Sequence, residues 1–385
     1  MGSVETLSFK NTYTLRAQTP IIHFQHNQCG ATLRATEVKP KLDRFIFNRF
    51  KEKIKTEWLV NADKNALKYK LHFEVLGEQS LVDLGYKTDY DIFYANMGDN
   101  TLKKKGILGD VKMTVVCTIP PLMSLIAESI AEFFAVTNFG TMQNKGFGSY
   151  IVDEEKSKYT PKFISDCLKK TYGATACYMY KPGRSVFKTI KVIYGMMKAG
   201  VNYTNFRGPD AYQRSLLFLY MHTDEYRMGN EKAWMKQNGI APIVSTNGRK
   251  YNENSSDQEA FYVRALLGVG EHIEFKANPD KVKVTIENTD KDSDNKKIIE
   301  RLSSPIYFKV IDGVVYIVAK RIDENIYGKT FKFSSKMGVG TLKVPEKNQL
   351  PADFIDRFLK YSVDNINKTG AAKFDDTKGI IIREV

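Results

Sequence analysis

Residues Val111–Val152 read VKMTVVCTIPPLMSLIAESIAEFFAVTNFGTMQNKGFGSYIV, and the fold turns on this stretch. Val111–Ile119 is rich in β-branched residues and reads as a strand. Pro120 and Pro121 then open a helix from about Leu122 to Val136. The glycine-rich loop Phe139–Gly148 follows, and Phe147–Val152 reads as a short strand. Upstream, Leu67, Tyr69, Leu71, Phe73 and Val75 alternate strictly, the clearest strand in the chain. Further back, Pro40 fits the first position of a helix whose face is Leu42, Phe45, Ile46 and Phe50. Thr6–Phe24 alternates in part, as a long or bulged strand does, and Gly77–Gly109 reads as a long connection. The order over residues 5–155 is β-α-β-β-α-β, that of ferredoxin-like and RNA-recognition (RRM-like) domains.

The chain has 385 residues, too many for one ordinary core. The expectation is an α+β protein of two ferredoxin-like domains with insertions, one over 1–158 and one over 159–385. In the second half, Lys162–Thr171 and Ser185–Ala199 look helical, with Thr175–Tyr180 a strand between them. Asp312-Gly313 between Ile306–Ile311 and Val314–Ala319 is a two-residue hairpin signal. Pro351–Val363 is an amphipathic helix.

Net charge is +14, which points to a polyanionic partner, most commonly nucleic acid. The four cysteines form no CxxC pair, so a zinc site is not expected, and so few suit a reducing cytosol. No run of about 18 apolar residues spans a membrane, and the N-terminal residues show no apolar h-region. No cofactor motif is present.

Three clusters are candidates for function. The loop Phe139–Gly148 is longer than the roughly two to six residues that a helix-to-strand connection needs. Gly140, Gly146, Phe147 and Gly148, with Asn144 and Lys145, are expected to bring backbone amides and one cation to phosphates. The second cluster, Arg34, Lys39, Lys41, Arg44 and Arg49, crowds the first strand-to-helix junction and suits a phosphate track. The third is His23 and His26, which fit acid–base cleavage of RNA but match no nuclease or metal signature.

Thr19-Pro20, Leu33-Arg34-Ala35-Thr36-Glu37-Val38-Lys39, Gly146-Phe147-Gly148 and Ser304-Pro305-Ile306 with Lys309 resemble, in this order, segments of the RAMP superfamily of CRISPR-associated proteins. Within it the chain looks similar to the first RAMP subunit of the type III-B effector complex. The resemblance implies a cytoplasmic, non-catalytic subunit of a ribonucleoprotein for antiviral defence. Such a subunit holds guide RNA and paired target RNA beside other effector subunits. A second reading is a metal-independent RAMP endoribonuclease that processes precursor CRISPR RNA through His23 or His26.

Overall fold

The computed structural model describes residues 9–23, 32–61, 65–85, 88–90, 105–203, 211–243, 258–276, 281–291, 298–299 and 301–385. The protein is α+β. Its first unit runs β1 Lys10–Ala17, α1 Ala35–Phe50, β2 Lys70–Asp83, β3 Lys105–Val116, α2 Pro120–Val136 and β4 Tyr150–Val152. The sheet order is β2-β3-β1-β4, with every neighbouring pair antiparallel. Alternation explains the register. Leu15 lies opposite Val111 and Phe73 opposite Met113, so the apolar sets share one face. That face packs on Leu42 and Ile46 of α1 and on Ile126, Ile130 and Phe133 of α2. Lys10, Thr12, Lys70 and His72 on the other face are exposed.

After helix α3 (Pro161–Tyr172) the connectivity recurs: β5 Cys177–Tyr180, α4 Val186–Lys198, β6 Ile306–Ile311, β7 Val314–Ala319, α5 Phe354–Asn365 and β8 Arg383–Glu384. The order is β6-β7-β5-β8, again antiparallel throughout. In each unit the second strand thus pairs the third, the third the first and the first the fourth. An antiparallel sheet of His272–Lys276, Lys281–Asn288, Thr330–Ser334 and Val339–Lys343 is inserted into the second unit. Asp312 (φ 48°) and Gly313 (φ 71°) form the expected two-residue turn between β6 and β7.

The second sheet is covered on both faces. Ile306, Phe308 and Val310 meet Phe187 and Ile190 of α4 and Phe358 of α5. Tyr307, Ile311, Tyr316 and Val318 meet Ile164 and Leu168 of α3, and Ala131, Ala135 and Val136 of α2. Strands buried on both faces read as continuous apolar runs, and IYFKVI and VVYIVA do so apart from Lys309. Helix α2 is therefore apolar nearly all round because it serves two cores.

Two expectations need correction. Helix α1 starts at Ala35, so Pro40 sits inside it and not at its first position. The lost N–H costs up to about 3 kcal/mol. Buried Val38, Leu42 and Ile46 offset it, each contributing about 1.5–3 kcal/mol. The segment Gly77–Gly109 is not simply a connection. Strand β2 continues to Asp83 through a register shift between Leu76 and Ser80, where Gly77 adopts φ 65°. Strand β3 begins already at Lys105.

Candidate nucleic-acid interface

The glycine-rich loop lies against the edge strand of the other unit. Lys145 bridges Phe308 in parallel pairing, and the Phe308 amide donates to the Asn144 carbonyl at 3.1 Å. The Asn144 amide donates to Ser304 O at 3.0 Å, the Asn138 amide to Phe308 O at 2.9 Å and Ser149 Oγ to Val310 O at 2.6 Å. Strand β6 is an edge of its sheet, and an edge left bare invites wrong pairing. The loop closes it, which accounts for the length beyond an ordinary connection. Phe147 stacks on Phe187, ring centroids 4.0 Å apart, and joins the second unit's core.

The loop's glycines are needed for this path. Gly140, Gly146 and Gly148 have φ of 75°, 85° and 67°. The expected phosphate cradle of free amides is not met. The amides of Gly140, Thr141, Lys145, Gly146 and Gly148 donate to Glu37 Oε1, Ile22 O, Met142 O, Gln143 O and Pro20 O. Lys145 also departs from expectation. Its Nζ is enclosed, without a hydrogen-bond partner, directly over the Tyr194 ring. Burial, and then the nearby Lys198, pushes its amine well below the usual lysine range.

The α1 cations divide into two groups. Lys39 Nζ donates to Asp43 Oδ2 at 2.8 Å and Leu67 O at 2.9 Å, over the Tyr69 ring. It is a structural cation. Lys41 Nζ donates to Glu37 Oε1, Asn138 O and Gln143 Oε1 at 3.0, 3.1 and 3.0 Å, tying α1 to the loop. Arg34 at the helix start and Arg44 are exposed, while Arg49 pairs with Glu132. Arg34, Glu37, Lys41, Arg44 and Asn48 follow the helical repeat and share one stripe.

That stripe reaches the second unit through two loop amides. Gln143 accepts from Lys41, and Asn144 Oδ1 accepts from Lys320 Nζ at 3.1 Å. Burial, and then Lys41, pushes Lys320 down to about 7. Beyond it stands exposed Arg321, which forms no ion pair among the described residues. The result is a track from Arg34 and Arg44 past Gln143 and Asn144 to Lys320 and Arg321. Sequence reading missed the last two, whose only signal was a Lys-Arg step at the end of an apolar strand. Lys309 of the Ser-Pro-Ile segment is fully buried and donates to Thr137 O at 2.8 Å, just past the C-terminus of α2. Its amine N–H satisfies a carbonyl at that end of the helix, and burial pushes the amine well below the usual lysine range.

His23 is buried, its Nε2 2.7 Å from Thr32 O, and burial lowers its pKa. His26 lies outside the described residues. No helix among the described residues is long and apolar enough to cross a membrane.

Two units of β-α-β-β-α-β connectivity, clasped by a glycine-rich loop, fit the RAMP class of CRISPR-associated proteins. Residues 8–201 match the family description "Cmr1 N-terminal domain" and residues 212–384 match "Cmr1 C-terminal domain". The chain belongs to the Cmr1 family, whose members are subunits of the multi-subunit type III-B CRISPR effector complex. The crystal structure of Cmr1 from Pyrococcus furiosus (apo form) is similar, with 10% identity over 88% of this chain and 99% of that one and a TM-score of 0.39. No curated protein matches the sequence.

Proposed function

We propose that this chain is a non-catalytic, RNA-holding subunit of its effector ribonucleoprotein. It grips guide RNA, paired target RNA or both through the backbone, for antiviral defence in the cytoplasm. Both units act as ferredoxin-like modules, divided near residue 158, where the first sheet has ended and α3 has not begun. The observation that carries the reading is the match of the two Cmr1 domains across nearly the whole chain. The cation track and the net charge of +14 support it.

Phosphate contacts release counterions and position without specifying sequence. Single-stranded RNA binding is therefore expected to weaken steeply with salt. Arg44→Ala and Arg34→Ala are each expected to lower the salt slope by about one unit, with no change in sequence preference. Fluorescence anisotropy across a salt series measures this. Binding that barely responds to salt, or slopes that both variants leave intact, would sink the reading. Incubation with repeat RNA in the absence of metal tests the processing alternative. Site-specific cleavage abolished by His23→Ala or His26→Ala would overturn the non-catalytic assignment.

A further inference from the structure

Around the contact between the glycine-rich loop and the second unit, four lysines form no ion pair with a carboxylate among the described residues. Lys198 Nζ donates to the Leu267 and Gly268 carbonyls, and Lys309 to the Thr137 carbonyl. Lys145 has no hydrogen-bond partner. Lys320 donates to a neutral amide and lies over the rings of Tyr307 and Tyr172, 3.8 and 4.5 Å from their centroids. Lys41, beside Lys320, differs from these four in forming an ion pair, with Glu37. Burial holds the four amines down, Lys145 and Lys309 well below the usual lysine range and Lys198 and Lys320 at about 7. An anion arriving beside Lys320 therefore favours its protonated form in a poorly solvated place, where a charge pair is worth more than in water.

Beside Lys320 the surface opens into a cavity of about 90 Å³. That is far above the roughly 10–15 Å³ that one water requires. Leu266 and Ile322 form part of its apolar lining, and Ser303, Lys320 and Arg321 form its polar wall. Ser303 and Arg321 are both exposed. Asp323 also lines the cavity, but its Oδ1 accepts from the Asn325 amide at 3.0 Å and so belongs to the local turn. The apolar lining and the rings around Lys320 limit hydration of the ammonium. The guanidinium of Arg321 offers a planar pair of donors suited to phosphate oxygens.

We infer that this cavity holds one phosphate group, bound by the Lys320 ammonium, the Arg321 guanidinium and the Ser303 hydroxyl. This rests on the RNA-holding reading for its source, a polynucleotide backbone crossing from the α1 stripe to the second unit. A small phosphorylated molecule presents the same chemistry, and the test separates the two.

The full-length protein is compared with Arg321→Ala, which removes an exposed side chain without an ion pair, and with Lys320→Met, which keeps the length of the stem. Thermal unfolding is followed in inorganic phosphate and in chloride at equal ionic strength. Single-stranded RNA binding is followed across salt. Phosphate is expected to raise the unfolding temperature of the wild type beyond chloride, and both variants to lose most of that excess. Each variant is also expected to lower the RNA salt slope by about one unit. A wild type that responds alike to phosphate and chloride overturns the site. So does a phosphate response retained in both variants. A phosphate response lost in the variants with RNA binding untouched overturns the backbone as source and supports a small phosphorylated ligand. A wild type that responds to phosphate yet binds no RNA overturns the proposed function while supporting the site.

Discussion

Gly148 holds φ at 67°, and a Cβ there would run into the Phe139 carbonyl. The neighbour is backbone and cannot step aside. Gly148→Ala is therefore expected to cost more than the roughly 1–3 kcal/mol of left-handed strain alone, read as a drop in the denaturation midpoint. An unchanged midpoint would mean that the loop takes another path. Lys145 poses the opposite question, whether a buried residue harms its own fold. Its ring contact with Tyr194 is worth about 2 kcal/mol when desolvated. Burying the side chain without a hydrogen bond costs several kcal/mol, whether the ammonium is desolvated or, as burial favours, gives up its proton. The second effect is larger, so Lys145→Met is expected to raise stability and leave RNA affinity unchanged. Destabilisation would show that the ring contact wins, and weaker RNA binding would show that the amine leaves its pocket.

Helix α1 shows how far sequence patterning reaches and where it stops. The apolar stripe Leu42, Phe45 and Ile46 was plain from spacing, and Leu42 and Ile46 are fully buried. Its start was misplaced, because a proline after a polar stretch reads as a beginning. Here the first turn instead forms on the Arg34 carbonyl, which accepts from Glu37 and Val38 at 3.0 and 2.9 Å. Pro40→Ala restores one interior N–H. It is expected to stabilise the protein by up to about 3 kcal/mol, and a loss of helical circular dichroism would contradict this. The Asp312-Gly313 turn was legible because it is local, whereas the alternation at Leu67–Val75 was legible only in part. Strand β2 starts at Lys70, Leu67 belongs to a separate short strand paired with Leu59–Asn61, and Val75 is exposed. The roles of Lys39, Lys41, Lys145 and Lys309 were not legible. A lysine buried against a carbonyl or a ring has the same spelling as a solvated one. The loop was legible as too long, but not as a clasp, since the strand it covers comes 160 residues later.

Across the whole molecule, buried lysines govern the response to pH. Burial first, and neighbouring cations next, push Lys198, Lys232 and Lys320 down to about 7. Between pH 7 and 9 the unfolded chain therefore binds more protons than the folded one, so stability rises with pH. The gain is at most about 1.4 kcal/mol per pH unit per lysine. Above about 9 the rise slows, because burial holds the Cys167 and Cys177 thiols up at about 12 while those of the unfolded chain ionise. Chemical denaturation from pH 7 to 9 measures the rise, and a flat or falling profile would refute it. Architecture adds a second expectation. Residues 1–158 alone would expose Ala131, Ala135 and Val136 of α2, which the second sheet covers, so that fragment is expected to aggregate or bind hydrophobic dye. A monodisperse, dye-silent fragment would show that the units are independent. The clasp also imposes an order in time. The ribosome makes Asn144 before Ser304, 160 residues ahead of it, an interval of roughly 8–30 s at ordinary rates of synthesis. Throughout that interval the α2 flank is newborn and unmated, so a nascent-chain chaperone has its longest opportunity there.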